Sequence, residues 1–277
     1  MEDWKKAICR QPSSTSISNI ANYVTNLGTT FSPIDKFYTR RNEILNVATP
    51  TFASTNPNVM TLLLVGLISS VENYYRDIIA DLIKICPFAK ENSSEKTLNL
   101  ASIWFGTNNL EKGALENISF ADSKNITKNF KIVFSIDAEN ASNQICSPLK
   151  EFSKLCELRH AIVHSGGEIS GKNAIKLQLP NSVNSMQVKV DYAEFQEAAA
   201  ICSSLVCASN LELFKEMSSR WYHRWPSSPA FAGLDLNKIF NQLWFIFYST
   251  IDSGNGQISS PLSKIKTRNK IISTHAG

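Results

Sequence analysis

Three residues in one short segment, Arg159, His160 and His164, combine an anion-binding cation with groups that move protons. A guanidinium offers planar N–H donors to an anion, and an imidazole accepts or releases a proton near neutral pH. These side chains therefore allow general acid–base chemistry beside a bound anion.

The helix that carries these residues is predicted to begin at Ser147-Pro148 and to end at Gly166-Gly167. At 100° per residue its apolar side chains form one stripe, and Arg159 falls near the middle of that stripe. Burying an unpaired charge is costly. Arg159 must therefore meet a carboxylate, line a polar cavity, or face another subunit or an anionic ligand.

The two histidines are four residues apart, so we expect His160 and His164 to be neighbours at the edge of that stripe. The carboxyl end of a helix favours the imidazolium form, which suits His164 to act as an acid or a base. The structural alternative is an ion pair at Arg159 and a histidine that only caps the helix.

The elements around this helix are predicted to be helical too. Apolar residues recur at intervals of three and four over residues 60–83, and this helix should end near Cys86 because Pro87 disfavours helical geometry in its predecessor. A second long helix is predicted for residues 192–217. Shorter helices are predicted at 17–27, after Ser32-Pro33, at 111–118, at 123–134 and at 237–251.

Four segments are predicted to be non-helical. Residues 51–56, between Pro50 and Pro57, are polar and turn-like. Residues 174–179 and 185–191 alternate apolar and polar side chains, which predicts a small β-hairpin.

The aromatic cluster at 220–225 is expected to pack under a domain, with stacking on RNA bases as the alternative. The basic tail is expected to be solvated and contains Lys264, Lys266, Arg268 and Lys270.

Residues 157–164, Glu-Leu-Arg-His-Ala-Ile-Val-His, resemble the signature of the HEPN superfamily, an Arg followed after four to six residues by a His. Four residues separate Arg159 from His164, and His160 stands where many members have Asn. The family places a long amphipathic helix first in its bundle, often with an acidic or polar residue at its edge, similar to Glu72 here. The resemblance covers about residues 58–217.

For the fold, this resemblance implies an all-α protein with one helical bundle, and local breaks in the sequence predict a further segment on each side of it. Residues 58–217 would form an antiparallel helical bundle of the HEPN type, with the small β-hairpin as an insertion. Residues 1–57 would be an N-terminal helical extension. Residues 218–277 would be a C-terminal extension with the aromatic cluster, a helix and the basic tail.

For the function, the resemblance implies a metal-independent endoribonuclease that acts as a toxin or antiviral defence effector. His164 would move protons while the ribose 2′-hydroxyl attacks the adjacent phosphate, and Arg159 would hold the phosphoryl oxygens. His160 and Glu72 would be further site residues. Because Arg159 and His164 project about 140° apart on an ideal helix, a homodimer with a composite site is expected. An antitoxin or companion defence protein would be a further partner.

Two alternatives use the same residues without cleavage. The chain is then a non-catalytic HEPN-fold module that binds nucleotides, RNA or a protein partner, or a helical interaction module whose arginine stripe is a dimer seam. Glu72 fits an ordinary carboxylate bordering the core as well as it fits a site role. Arg268 and His275 satisfy the same Arg–His window, but they fall in the polar tail, where no packed helix is expected.

The composition indicates an ordinary globular protein, with 43% hydrophobic and 19% charged residues. The formal net charge of +4 is compatible with a polyanionic partner but does not demonstrate one. The cysteines form no C-x-x-C pair and have no histidines at zinc-finger spacing, so we expect neither a metal nor a cofactor. The N-terminus lacks the apolar region of a signal peptide, and the apolar runs are too short to span a bilayer. These features predict a cytoplasmic protein without a membrane segment.

Overall fold

The computed structural model describes residues 7–10, 16–25, 31–104, 109–140, 143–181, 184–233 and 235–276. By its contacts the chain divides into two units, Met1–Phe31 and Ser32–Gly277. In the first unit, the helix predicted for residues 17–27 is reduced to a 3₁₀ turn, Ile20–Tyr23, which the Asn19 side chain caps. Residues 26 and 27 lie outside the described part of the chain.

The second unit is α-helical, and the residues described in it contain no β-strand, which confirms the predicted all-α class. In chain order the helices are α1 (Pro33–Val47), α2 (Pro50–Thr55), α3 (Pro57–Ile85), α4 (Pro87–Asn92), α5 (Leu100–Trp104), α6 (Leu110–Gly113), α7 (Ser123–Phe134), α8 (Cys146–Ser165), α9 (Gly171–Lys176), α10 (Tyr192–His223), α11 (Leu236–Phe247), α12 (Thr250–Gly254) and α13 (Lys264–Ala276). Two 3₁₀ turns, Trp225–Ser227 and Pro229–Phe231, separate α10 from α11.

Proline opens each of the first four helices, at Pro33, Pro50, Pro57 and Pro87. Its fixed φ suits the first helical position, where the missing N–H has no partner in any case. The polar turn predicted for residues 51–56 is therefore wrong. Pro50 starts α2 there, and the Thr49 side chain caps it by accepting a hydrogen bond from the Phe52 N–H.

The core is built around α3, whose predicted span and end at Cys86 are confirmed. This helix packs against α1, α8 and α10. Tyr75 is fully buried, donates to or accepts from the Ser209 hydroxyl of α10 at 2.7 Å, and meets the Phe130 ring of α7 edge-on. Such satisfied aromatic contacts fix the register of α3 against its neighbours.

The predicted β-hairpin does not form. Residues 174–176 form the last part of α9, which Ser170 caps by accepting from the Asn173 N–H, and residues 177 and 178 form a turn. Residues 185–191 are extended, but they pair with the chain just after α8, through an isolated bridge between Glu168 and Gln187. An apolar–polar alternation over a few residues also fits one helical turn, so the pattern misled the prediction.

The region after residue 217 is more ordered than the sequence predicted. Helix α10 continues to His223, and the aromatic cluster is buried as expected, with Trp221 and Trp225 in the core. The basic tail, in which no packed helix was expected, forms α13, which contacts α10 and α11 and packs Ile271 against the core. None of its residues is buried, and Lys266 and Lys270 are exposed as predicted. Few apolar side chains hold this helix, so its sequence pattern is weak.

Helix α1 is tied to the C-terminal region by Asp35, which is 2% exposed. Its carboxylate accepts hydrogen bonds from Ser249 and from the backbone and side chain of Thr250, at the start of α12. The expected boundary at 57/58 therefore falls inside one contact unit, and that at 217/218 falls inside α10.

Among the described residues, α10 is the one helix with the length and apolar composition to cross a membrane. Half of its most apolar stretch is buried within the protein, and core helices of globular proteins have the same length and apolar composition.

Candidate functional site

A polar cavity of about 580 Å³ lies where the start of α7, the middle of α8 and the whole of α9 come together. Its described lining contains two carboxylates, Asp122 and Glu157, and an excess of cations: Lys124, Lys150, Lys154, Arg159, Lys172 and Lys176. The excess of four positive charges on this one surface equals the formal net charge of the whole chain. Lys154 is paired with Glu151 and Lys176 with Glu157, and the remaining cations give the cavity a positive potential that favours anions.

Arg159 projects into this cavity from α8 and is partly buried. Among the described residues no carboxylate or other acceptor lies within bonding distance of its guanidinium. Of the settings that the sequence left open, the structure places Arg159 on the wall of a polar cavity. Its five N–H donors are therefore available to a bound anion.

The nearest acidic side chain on the same helix is already neutralised. Glu157 accepts hydrogen bonds from Lys176 and, at 2.8 Å, from the amide of Asn173, both on α9. Asn173 is buried and is also bound by Ser170. These contacts hold α9 against α8. The Glu157 carboxylate is bound by Lys176 and Asn173 and not by Arg159.

Cys156 lies on the same wall and is not suited to act as a nucleophile. Burial raises the pKa of its thiol, and the Arg159 charge, which lowers the pKa, does not offset that effect. The thiol therefore stays protonated at neutral pH.

The two histidines of the motif are in contact on the surface of α8. The rings of His160 and His164 lie 4.6 Å apart, centroid to centroid, with planes tilted by 47°. Both side chains are exposed. His160 lines the cavity beside Arg159, whereas His164 lies one turn further along the helix, outside the described lining. One chain thus brings Arg159 and His160 together, and His164 adjoins them through His160.

Glu72 has a different position. Its carboxylate binds Arg76 at 3.2 Å and accepts from the Phe120 N–H at 3.1 Å, and Arg76 also donates to the Ile118 carbonyl. These contacts anchor the loop that leads into α7, and Ser119 of that loop lines the cavity. In the structure Glu72 positions one wall and does not line the cavity itself.

The lysines of the lining were not identified from the sequence. Lys150 and Lys154 share the polar face of α8 at a spacing of four residues, which is a readable but common signal. Lys172 and Lys176 have the same spacing on α9. Lys176 falls in residues 174–179, which were predicted to be a strand, and Lys172 lies before them, so the two were not placed on one helical face.

No known protein family, curated protein or solved structure matches this chain. Within the described ranges, no group of three or more His, Cys, Asp or Glu side chains is arranged to hold a metal ion.

Proposed function

We propose that this protein is an endoribonuclease. It binds RNA phosphates in the Arg159 cavity and cleaves the RNA strand without a metal ion. The observation that carries the proposal is Arg159, which has no acceptor in the described part of the chain and lies in a cavity with a cationic excess, beside the His160–His164 pair. The resemblance of residues 157–164 to the HEPN signature supports the same function.

The proposed reaction needs one proton removed and one delivered. A histidine accepts the proton of the ribose 2′-hydroxyl, whose oxygen then attacks the adjacent phosphorus. The bond from phosphorus to the 5′-oxygen breaks, and that oxygen takes a proton from a second imidazolium. The products are a 2′,3′-cyclic phosphate and a 5′-hydroxyl. Arg159 stabilises the charge that builds on the non-bridging oxygens.

We propose further that the working site is shared by two copies of the chain. His164 is exposed beside the cavity, and the neighbouring Val163 is 46% exposed although it belongs to the predicted apolar stripe. On α9, Ile175 is 80% exposed. A second copy packed on these apolar side chains would bring two motif helices together and set His164 near a bound phosphate.

The test is cleavage of a single-stranded RNA by the purified chain in excess EDTA, with the ends of the products identified. We expect cyclic phosphate ends, and a rate loss of about 100-fold or more for His164→Ala, because general acid–base catalysis contributes that much. His160→Ala and Arg159→Ala should also slow cleavage. His275→Ala is the matched control, since His275 lies on α13, away from the cavity. Intact RNA in every reaction would refute the nuclease proposal.

A second candidate is an RNA- or nucleotide-binding module without cleavage. The observation that favours it is the position of His164 outside the described cavity lining, which leaves mainly cations and hydroxyl groups there. RNA would then stay intact, Arg159→Ala would weaken its binding, and His164→Ala would not.

The biological setting that the HEPN resemblance supports is a toxin or antiviral defence effector, with an antitoxin or companion protein as its partner. Expression of the chain should then arrest the growth of a host cell, and His164→Ala should relieve the arrest. Equal growth with both proteins would speak against this setting.

A further inference from the structure

Two histidines far apart in the sequence meet where the ends of α10 and α13 come together. Nε2 of His223 lies 3.2 Å from Nδ1 of His275, and the ring planes are nearly perpendicular, at 82°. His223 is exposed and His275 is partly buried, so solvent and dissolved ions reach the pair. The two nitrogens share one hydrogen bond.

The neighbouring Tyr222 holds both rings in place. Its ring stacks on His275 at 5.7 Å and meets His223 edge-on at 4.9 Å. The positions of the two imidazoles are thus set by packing between two helices, and little ordering remains to be done when a ligand binds.

We propose that His223 and His275 form a binding site for a divalent transition-metal ion such as Zn²⁺. Two nitrogens that bind one tetrahedral Zn²⁺ at about 2.0 to 2.1 Å lie roughly 3.3 Å apart, which agrees with the observed distance between these two. Imidazole nitrogen is also a preferred ligand of Cu²⁺ and Ni²⁺, so the site selects this class of ion over Mg²⁺ or Ca²⁺.

Binding requires a change of tautomer and a rotation of the two rings that turns both facing lone pairs from each other toward one common position. A neutral imidazole has one N–H and one free lone pair. The ring that donates the present hydrogen bond moves its proton to its other nitrogen, and both facing nitrogens then direct lone pairs to the metal. No carboxylate or thiolate in the described part of the chain completes a three-residue site, so water fills the remaining positions. The affinity is accordingly lower than that of a four-ligand structural zinc site.

The consequence of binding is a link between the ends of two helices. Helix α13 is held by few apolar contacts, and an ion bridging His275 to His223 adds a connection to α10. A ligand that binds only the docked arrangement stabilises that arrangement. Metal should therefore slow the local opening of α13, independently of the nuclease proposal.

The test is hydrogen exchange of the full chain with and without Zn²⁺, each protein being compared with itself. We expect Zn²⁺ to slow exchange over residues 264–276 in the natural chain and in the double variant H160Q/H164Q, which removes the other histidine pair. His223→Gln and His275→Gln should each abolish the Zn²⁺ effect. In calorimetric titration each should weaken Zn²⁺ binding by at least about ten-fold.

All four histidines of the chain lie in these two pairs, so the variants separate the sites. Unchanged exchange over residues 264–276 in the natural chain on adding Zn²⁺ would overturn the proposal. So would a Zn²⁺ effect that persists in both His223→Gln and His275→Gln.

Discussion

At the scale of single residues, Arg159 is a partly buried charge that lies among other cations. A charge that is partly withdrawn from water is normally matched by a carboxylate, yet the nearest one on α8, Glu157, is bound by Lys176 and Asn173. The positive charge of Arg159 is instead reinforced by the lysines around it. Such an arrangement lowers stability slightly in the empty protein and is favourable once an anion is bound.

Replacing Arg159 should therefore affect binding far more than folding. We expect Arg159→Ala to weaken the binding of a 2′-O-methyl oligoribonucleotide, which lacks the attacking hydroxyl, by about ten-fold or ~1.4 kcal/mol. Arg159→Lys should bind the oligonucleotide with an affinity between those of the natural chain and Arg159→Ala, because it keeps the positive charge but loses the planar set of N–H donors. The unfolding free energy should change by no more than about 0.5 kcal/mol, since no ion pair is lost. Fluorescence anisotropy and urea titration measure the two quantities.

The matched control is Lys215→Ala, which removes an exposed cation of α10 that pairs with Glu212 away from the cavity. It should bind the oligonucleotide as the natural chain does. Equal affinities for Arg159→Ala and Lys215→Ala would mean that Arg159 takes no part in binding, and a large loss of stability in Arg159→Ala would point to a structural role.

How far these residues could be predicted depends on the range of the interactions that place them. Arg159, His160 and His164 lie on one helix, so their spacing alone predicts that the histidine rings meet, as they do at 4.6 Å. The contribution of Lys124 and Lys172 could not be predicted, because it depends on how α7 and α9 pack on α8. Long-range packing also decides the partners of Glu72, which are Arg76 and the Phe120 backbone.

At the scale of elements, local signals predicted where the long helices lie but not how the short ones begin. Helix α8 ends at Gly166, at a φ of +61° that glycine adopts without strain, and this end was predicted. Proline was read as a break at Pro50, although it equally starts a helix, and a Thr49 cap decides between the two. Helix α9 was missed for another reason, since the apolar–polar alternation over residues 174–179 fits a strand as well as a helical turn.

Replacing either of two neighbouring carboxyls of α3, Asp77 and Asp81, by a neutral side chain should change the stability of the fold in opposite directions. Burial raises the pKa of Asp77, but hydrogen bonds and charges from Lys112 of α6 and Lys36 of α1 outweigh it, and the net pKa is lowered. Burial raises the pKa of Asp81, and the contact with Lys84 at 3.5 Å and the charge of Lys36 do not offset it. Ionised Asp77 therefore stabilises the fold, whereas ionised Asp81 opposes it.

We expect Asp77→Asn to lower the unfolding free energy at pH 7 by about 1.5 to 3 kcal/mol, the range for hydrogen bonds to charged groups. The contribution of Asp77 is present above the ordinary carboxyl pKa of 3.8 and is lost as the pH falls through its lower native pKa. The deficit of the variant should therefore shrink in strongly acidic buffer. Urea titrations across this pH range measure it.

Asp81→Asn is the internal control, because its effect on the unfolding free energy at pH 7 is expected to have the opposite sign. The contribution of Asp81 is present below 3.8 and is lost as the pH rises through its raised native pKa, so this variant should be as stable as the natural chain at pH 7, or slightly more stable. Equal losses in Asp77→Asn and Asp81→Asn at pH 7 would contradict the assignment of the two carboxyls.

At the scale of the whole molecule, helices α1 and α11, on either side of the motif region, belong to the same core as α3. Asp35 of α1 holds the start of α12, and the Tyr38 hydroxyl donates to Asp252 at 3.0 Å and contacts the Cys207 sulfur of α10. Helices α1 and α11 both pack on α3. A sequence pattern reports which face of a helix is apolar but not which distant helix covers it. The three-part division predicted for the chain rests on the extent of the resemblance and on local breaks, and neither reports how distant helices pack.

The unit that folds should accordingly be residues 32–277, and residues 58–217 alone should not fold. The shorter fragment lacks α1 and α11, so apolar side chains of α3 lose their cover, and it ends inside α10 before the buried Trp221. Losing that much burial exceeds the marginal stability of a domain. In urea titrations followed by near-ultraviolet circular dichroism, we expect one cooperative transition for 32–277, close to that of the full chain, and none for 58–217. A cooperative transition in fragment 58–217 would instead show that the motif region is a domain in its own right, and that the flanking helices are additions to it.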